Sequence, residues 1–324
     1  MSFSDNFYQL DIQQVMRVCQ ECGFDPTGEY FQLNSYENRV FDIFLESEEL
    51  PRPHVIAKVY RPHRWSEEAI AEEHLFLEEL KTQGVPAVAP LKLPNGKTTW
   101  VDGGMIFSFF PKARGRMPQE LSLEEYRQVG IQLAKLHNVG AQSQAQFRPT
   151  LNVDEFGWSS LQNLKSWVAP EVWPRYQKAA QDIFEFLEDH LSTTEFIRIH
   201  GDCHKGNILQ TDPKEGEKEI FFVDFDDFVN GPVVQDFWML FSGDDEQGDE
   251  ELESFLSGYE SLRLFDESQL EWMHALRGLR IVYYANWIAR RWRDPSFPKM
   301  FPDFRDYTYW AEEVEALERL AWSL

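Results

Sequence analysis

The order of apolar and polar positions divides the chain into a β-rich first third and a mainly helical remainder. An amphipathic segment at about 11–22 predicts a first helix. Runs of β-branched and aromatic residues at 29–47 and 54–61 predict strands. A helical apolar stripe marks 65–84, and 85–112 predicts further strands separated by the turns PNGK and DGG. The first third is therefore expected to form a small antiparallel sheet crossed by one helix.

Helical periodicity dominates the rest of the chain. Amphipathic patterns cover 121–140, 170–191 and most of 249–293. One β-like interruption, 195–228, lies inside this helical region. The acidic run 242–253 is expected to be a solvated loop and the start of a helix. This order of elements predicts a small β-rich lobe followed by a larger helical lobe.

Composition and charge narrow the range of partners. The 324 residues are 43% hydrophobic, which is enough for sizeable cores and argues against disorder. The formal net charge is −24, so nucleic acid and anionic membranes should repel the chain, and a neutral or basic protein partner is favoured. No apolar stretch approaches the length of a membrane span, and the start lacks the pattern of a secretory signal. We expect a monomeric, cytoplasmic protein.

The cysteines also indicate a reducing compartment. Cys19, Cys22 and Cys203 do not make a disulfide framework in a chain of this length. The spacing of Cys19 and Cys22 permits a redox or zinc motif, but the surrounding pattern is that of the last turns of a helix. Cys203 and His204 also suggest zinc, yet the sequence offers no second cluster of His or Cys at ligand spacing.

The stretch IRIHGDCHKGNILQ, in the β-like interruption, concentrates polar side chains between two apolar runs. Asp202 is followed by Asn207, and Asp224 comes at the end of the next apolar strand. Asn207 and Asp224 offer oxygen ligands of the kind that Mg²⁺ prefers. Asp202 is left to accept the proton of an attacking hydroxyl. Asp226 could add a carboxylate near the metal or orient a loop. The pattern predicts phosphoryl transfer.

HGDCHKGN followed by VDFDD resembles the catalytic and metal-binding loops of the aminoglycoside phosphotransferase and choline kinase superfamily, relatives of the protein kinases. His200, Asp202 and Asn207 keep the spacing of the kinase loop H-R-D-x-x-x-x-N. Asp224 takes the place of the Asp that opens D-F-G, and Asp226 replaces its glycine. In the resembling families the histidine orients the loop, so His200 is expected to hold Asp202 in place rather than to transfer protons.

A narrower resemblance is to the bacterial stress-response kinase A family, protein Ser/Thr kinases with a phosphotransferase-like fold. Six segments resemble that family's, over about 30–305: LNSYENRVF, KVYRPHRW, EEHLFLEEL, HGDCHKGNIL, DDFVNGPVVQDFWML and RIVYYANWIARRWRDPSFPKMFP. The last two point to this narrower family. The resemblance implies an α+β, bilobal, protein-kinase-like fold with an ATP-binding lobe at 1–110 and a catalytic and substrate lobe at 111–324. It also implies ATP as co-substrate, Mg²⁺ as cofactor, and Ser or Thr of proteins as acceptors, including those of the kinase itself.

A kinase of this type needs a strand lysine for the nucleotide phosphates and a carboxylate on the following helix to fix it. Lys58, in VIAKVY, is the only lysine in a strand-like setting in the first 60 residues. Glu73 is its predicted partner because its helical face continues toward the sheet, and Glu72 is the alternative. Asp236, in VVQDFWML, is expected to brace the catalytic loop by accepting backbone hydrogen bonds, to cap a helix, or to do both.

Two further nucleotide contacts are expected. The resemblance supports phosphate contacts from the glycine-free loop Ser35, Tyr36, Glu37 and Asn38, whereas the sequence alone would permit an ordinary hairpin there. MIFSFFPKARGR resembles the strand and linker between the lobes, so the backbone of Phe109 and Phe110 is expected to bind the adenine edge. The phenylalanine side chains could equally be core.

A local basic patch stands out in this acidic chain. Arg290, Arg291 and Arg293 follow one another on a Trp-rich helix, where they could meet a substrate or pack against aromatic rings. The motifs describe the nucleotide half of the site, so two alternatives to a protein kinase remain open. One is a kinase of a hydroxylated metabolite or an aminoglycoside, and the other is a nucleotide-binding pseudokinase that acts as a scaffold.

Overall fold

The β-rich first third forms one five-stranded antiparallel sheet in the computed structural model. The structure describes residues 7, 10–48, 53–211, 219–241 and 246–324. The strands lie in the order β1-β2-β3-β5-β4. Their bounds are β1 Pro26–Leu33, β2 Arg39–Leu45, β3 His54–Val59, β4 Trp100–Asp102 and β5 Met105–Pro111.

Two helices pack with this sheet. Helix α1 (Ile12–Glu21) buries its apolar face in the core of the small lobe, together with the inward side chains of β2, β3 and β5. Helix α2 (Glu67–Thr82) begins at Ser66, whose hydroxyl accepts a hydrogen bond from the Ala69 N–H in the first turn. Its Phe76, Leu77 and Leu80 belong to the core of the large lobe instead. Helix α2 therefore joins the two lobes.

The strand prediction for the first part of 85–112 is wrong. Residues 85–99 form turns and irregular backbone, and β4 begins only at Trp100. Pro86, Pro90 and Pro94 each lack the N–H that a ladder needs, which explains why this segment does not extend the sheet. It instead lies beside β5, where the Leu91 N–H donates to the Phe109 carbonyl at 2.7 Å.

The large lobe is mainly helical, with two small β pairs that carry the polar loops. Strand β6 pairs with β9, and β7 pairs with β8, both antiparallel. The strand bounds are β6 Ile197–Ile199, β7 Ile208–Gln210, β8 Ile220–Phe222 and β9 Val229–Gly231. The helices are α3 Leu123–Gly140, α4 Ser159–Leu164, α5 Trp173–Leu191, α6 Glu246–Glu260, α7 Met273–Arg291, α8 Phe297–Met300 and α9 Tyr307–Trp322.

This architecture confirms the α+β, bilobal fold predicted from the sequence. The HGDCHKGN stretch connects β6 to β7, and VDFDD leads from β8 toward β9, so adjacent strand ends bring the two loops together. The first part of the acidic run 242–253 lies outside the described residues, and its second part is helical from Glu246 onward. Among the described helices, none is both long and apolar enough to cross a membrane.

Candidate active site

The turn after β6 fixes the catalytic loop. Gly201 has a φ of +82°, and a Cβ at this position would lie 2.2 Å from the carbonyl oxygen of Asp227, so only glycine fits. Asp236 is fully buried and accepts from the backbone N–H groups of His200 at 2.7 Å and Gly201 at 2.8 Å. The structure therefore places Asp236 as a brace for this turn.

His200 links the two loops. Its Nε2 lies 3.0 Å from the carbonyl oxygen of Val223, which can only accept, so Nε2 carries the proton. Nδ1 is then free to accept from the Asp202 N–H at 3.3 Å. Asn207 donates from Nδ2 to the Asp202 carbonyl at 2.9 Å, which leaves its Oδ1 available to a ligand. These bonds orient both functional side chains from the backbone.

Asp202 lies on the floor of a cavity between the lobes. One carboxylate oxygen, Oδ1, accepts from Nη2 of Arg280 on α7 at 2.7 Å. The other oxygen is 3.7 Å from Nε2 of His204. Because the side chain is 17% exposed, this second oxygen can meet an incoming hydroxyl. Arg280 was not predicted, since an arginine far along a helix has no motif that ties it to the loop.

The predicted metal ligands face the same cavity as Asp202. Asp224 adopts a left-handed backbone conformation, with φ +64° and ψ 66°, which is uncommon outside glycine. Its side chain is 57% exposed and lines the cavity together with Asn207. One carboxylate and one amide oxygen suit Mg²⁺, which takes its remaining ligands from phosphates and water. These residues therefore fit a divalent cation, which when bound would neutralise charge on the phosphates.

Lys58 on β3 reaches the opposite wall of the cleft. Its Nζ lies 3.0 Å from Oδ1 of Asp226 and 3.6 Å from Oε1 of Glu73 on α2. Burial alone would lower the pKa of the Lys58 ammonium, but Asp226 and Glu73 hold it well above its usual value. Burial would likewise raise the pKa of Asp226, yet Arg64 and Lys58 hold it below its usual range. Both groups therefore stay charged at neutral pH.

The two acidic candidates on α2 have different positions. Glu73 is buried, and its second oxygen accepts from Nη2 of Arg148 at 2.6 Å. Glu72 instead accepts from the backbone N–H groups of residues 146–148 at 2.6 to 3.0 Å. The structure therefore brings Glu73, and not Glu72, next to Lys58. Arg148 also donates to the Asp226 carbonyl at 2.7 Å, a link that the sequence did not reveal.

The loop between β1 and β2 closes the cleft from above. Its Ser35 and Asn38 line the cavity that contains Asp202 and also a neighbouring apolar cavity. The Asn38 N–H donates to the Ser35 hydroxyl at 3.2 Å. The Glu37 carboxylate accepts from Trp287 Nε1 and Arg291 Nη2, each at 2.7 Å. Glu37 therefore anchors the loop to α7, and any phosphate contact there falls to backbone and to its neighbours.

The cleft has an apolar part and a polar part that share Asp224 and three residues of the loop before β2, Asn34, Ser35 and Asn38. The apolar part has a volume of about 320 Å³ and suits a planar base. Its walls include Val40, Ile56, Leu77, Val88, Phe110, Leu209 and Phe222. The polar part, of about 400 Å³, contains Asp202 and Asn207. An adenine and its phosphates would lie along this polarity gradient.

The structure separates the two predicted adenine contacts. Phe110, Pro111 and Ala113 line the apolar cavity. Phe109 does not, because its ring is fully buried in the core of the small lobe and its carbonyl already accepts from Leu91. The contact expected at Phe109 involves its backbone, whose carbonyl is engaged by Leu91, and it stays a prediction.

Zinc has no support at Cys203 or His204. Cys203 is fully buried, and burial raises the pKa of its thiol well above the usual value, which disfavours the thiolate that a metal needs. Within the described ranges, no three His, Cys, Asp or Glu side chains are grouped so as to hold a metal ion. Cys19 and Cys22 lie in and directly after α1, and both are buried.

Comparison with known proteins agrees with this geometry. Residues 32–276 match the phosphotransferase enzyme family. Stress response kinase A of Salmonella choleraesuis is 36% identical over 95% of this chain and 92% of its own length. The serine/threonine protein kinase RdoA of Salmonella typhimurium is equally similar, with 36% identity and the same coverage.

Solved structures share the fold at low sequence identity. A microcompartment-associated aminopropanol kinase superposes with a TM-score of 0.75 at 20% identity, covering 96% of both chains. An amicoumacin kinase superposes with a TM-score of 0.73 at 18% identity, covering 95% of this chain and 94% of its own. The chain has the cleft, the paired loops and the sequence of the phosphotransferase enzyme family, and it belongs to that family.

Proposed function

We propose that this protein transfers the γ-phosphoryl group of ATP, in the presence of Mg²⁺, to Ser or Thr hydroxyls of proteins. The observation that carries the proposal is the grouping of Asp202, Asn207 and Asp224 around one polar cavity that continues into an apolar one. The name of one relative that is 36% identical over nearly the whole chain, serine/threonine protein kinase RdoA, supports a protein acceptor.

Each residue has a separate task in this reaction. Asn207 and Asp224 would hold the cation, while Lys58, fixed by Glu73, would bind the nucleotide phosphates. The acceptor oxygen forms a bond to the γ-phosphorus, the bond to the β,γ-bridging oxygen breaks, and ADP leaves. Asp202 takes the proton of the acceptor hydroxyl through the oxygen that Arg280 does not bind.

The test is a transfer assay with purified protein, labelled ATP, Mg²⁺, a panel of proteins and a panel of hydroxylated metabolites. We expect label in protein, on Ser or Thr. Label in an amino alcohol or an aminoglycoside, but in no protein, would favour the metabolite kinase. Nucleotide binding without transfer to any acceptor would favour the pseudokinase scaffold.

A pair of variants tests the assigned base. Asp202→Asn should abolish transfer and leave ATP affinity within about threefold, because Asp202 is expected to touch the acceptor rather than the nucleotide. Asp266→Asn is a matched control, since Asp266 is an exposed cap of a short helix and contacts neither cavity. Full activity in Asp202→Asn would refute the assignment.

A further inference from the structure

A third cavity, of about 630 Å³, lies beside the polar cavity that contains Asp202. Arg64, Tyr283 and Trp287 line both, so one wall separates the two spaces. Six arginines but only two carboxylates line the third cavity. The arginines are Arg61, Arg64, Arg148, Arg290, Arg291 and Arg293, and the carboxylates are Glu155 and Asp294. The whole chain carries a net charge of −24, so this is a local reversal of charge.

Four of these arginines already hold carboxylates of the protein. Arg61 pairs with Asp294 at 3.0 Å, and the other three pair with acidic groups in and around the active site. Arg290 and Arg293 are exposed and form no ion pair with any residue that the structure describes. The positive charge at the C-terminal end of α7 is therefore not cancelled, and it faces the cavity.

Two buried donors on the same walls also lack an acceptor. Neither the indole Nε1–H of Trp65 nor the Nε–H of Arg291 has a hydrogen-bond partner in the described part of the chain. A buried donor left without a partner is unfavourable, which is why such groups are rare in folded proteins. Packing of Arg291 against the Trp287 ring, at 5.1 Å, accounts for its position but leaves its Nε–H unsatisfied. Both atoms are shielded from solvent, so they add to the polarity of the cavity walls without being open to a ligand.

We infer that this cavity binds an acidic segment of the protein substrate, next to the hydroxyl that is phosphorylated. The inference rests on the proposed function and narrows its substrate class. A cavity of this size exceeds what a single oxyanion needs, and its aromatic walls, including Trp65, Phe147 and Phe156, suit the apolar parts of a peptide. The shared wall allows one extended chain to reach both cavities.

The charge of the whole protein and the charge of this cavity select different features of a partner. A net charge of −24 favours a partner that is neutral or basic overall. The cavity selects a local run of carboxylate or phosphoryl groups near the acceptor residue. A basic protein with one acidic segment meets both conditions, whereas a uniformly acidic protein meets only the second.

The test uses fluorescent peptides that share one acceptor Ser and differ in their flanking residues. One set carries Glu, a second Gln, and a third phosphoserine at the same positions. Binding is followed by anisotropy and transfer with labelled ATP, both at low and at high salt. We expect the Glu or the phosphoserine peptide to bind about tenfold tighter than the Gln peptide at low salt, with a smaller difference at high salt.

Charge-removing variants locate the effect. Arg290→Gln with Arg293→Gln should reduce the preference to about twofold. Lys165→Gln with Arg319→Gln removes two exposed charges from the same lobe, away from the three cavities, and should keep the preference. Thermal melting checks that both double variants are folded. Tighter binding of the phosphoserine peptide than of the Glu peptide would identify phosphoryl groups as the preferred ligand, and tighter binding of the Glu peptide would identify carboxylates. Equal binding, both tighter than the Gln peptide, would show that the cavity accepts either anion.

Two results would overturn the inference. One is equal binding of the Glu, phosphoserine and Gln peptides by the unaltered protein. The other is an unchanged preference in the Arg290 and Arg293 double variant. Failure of the proposed function looks different, because it would abolish transfer to every peptide and leave selective binding of acidic peptides intact.

Discussion

The buried carboxylate of Asp236 provides a sharp test of how the catalytic loop is held. It is fully buried and accepts from the His200 and Gly201 N–H groups at 2.7 and 2.8 Å. Nε2 of His137 lies 3.1 Å from the same carboxylate. Burial lowers the pKa of His137, and its Nδ1 accepts from the Tyr259 hydroxyl, so a neutral imidazole donates to Asp236.

The two backbone hydrogen bonds allow the loss of folding stability in variants of Asp236 to be worked out. A hydrogen bond to a charged group contributes about 1.5–3 kcal/mol. Asp236→Ala removes both, together with the bond from His137, and should cost at least roughly 3–6 kcal/mol, a large part of the total of about 5–15 kcal/mol that stabilises a typical protein. Asp236→Asn keeps the volume and one acceptor oxygen, so it should cost about half as much. At about 1.5 °C per kcal/mol for a chain of this length, the Asn variant should melt roughly 2–5 °C lower.

Activity should fall more steeply than stability in Asp236→Asn. The turn that it releases carries Asp202, whereas Lys58 and the apolar cavity lie on other elements. We therefore expect transfer to drop at least tenfold at a temperature where the variant is folded, with ATP binding nearly unchanged. Asp266→Asn, which exchanges one good cap for another, should show neither effect. Normal melting and normal transfer in Asp236→Asn would refute the bracing role.

Three further outcomes follow from single contacts. Gly201→Ala places a Cβ 2.2 Å from the Asp227 carbonyl at φ +82°, so calorimetry should show a loss of at least about 1–3 kcal/mol and transfer should fall with it. Lys58→Met removes the cation 3.0 Å from Asp226 and 3.6 Å from Glu73, and it should raise the KM for ATP at least tenfold in steady-state assays. Burial raises the pKa of Glu313 to about 7, above its unfolded value near 4.5. The buried charge therefore destabilises the folded state fully above pH 7 and not at all below pH 4.5. Glu313→Gln should therefore stabilise the protein by up to about 3 kcal/mol in denaturant titrations at pH 8 and have little effect at pH 4.5.

Local patterns were sufficient for most of the secondary structure. The helix expected at 65–84 is Glu67–Thr82, and the helix expected at 121–140 is Leu123–Gly140. The strand prediction fails at 85–99 because three prolines there lack the N–H groups that a ladder needs, although the segment is apolar. Periodicity reports how a side chain is buried, and it does not report whether the backbone can pair.

Candidate site residues were predictable where a fixed spacing reports a shared turn, as in HGDCHKGN. Arg280 and Arg148 were not, because each reaches the site from an element that is distant in sequence and carries no motif. The sequence pattern around Arg280 predicts only a helix, and the pattern around Arg148 predicts only a loop. Their roles depend on how the helices pack, and a single sequence does not contain that information in local form.

The glycine-free loop shows how a different chemistry can close the same cleft. In G-x-G-x-x-G loops, glycine lets the backbone approach the phosphates closely. Here Glu37 binds Trp287 and Arg291 on α7, and Arg61 donates to the Tyr36 and Glu37 carbonyls at 3.2 and 3.0 Å. The loop is thereby positioned through charged hydrogen bonds by Arg61 of its own lobe and by α7 of the large lobe. Because Arg291 also lines the third cavity, a ligand in that cavity and a nucleotide below the loop would contact one connected set of side chains. Any coupling between them must be reciprocal, so a peptide that tightens ATP binding must itself bind more tightly when ATP is present.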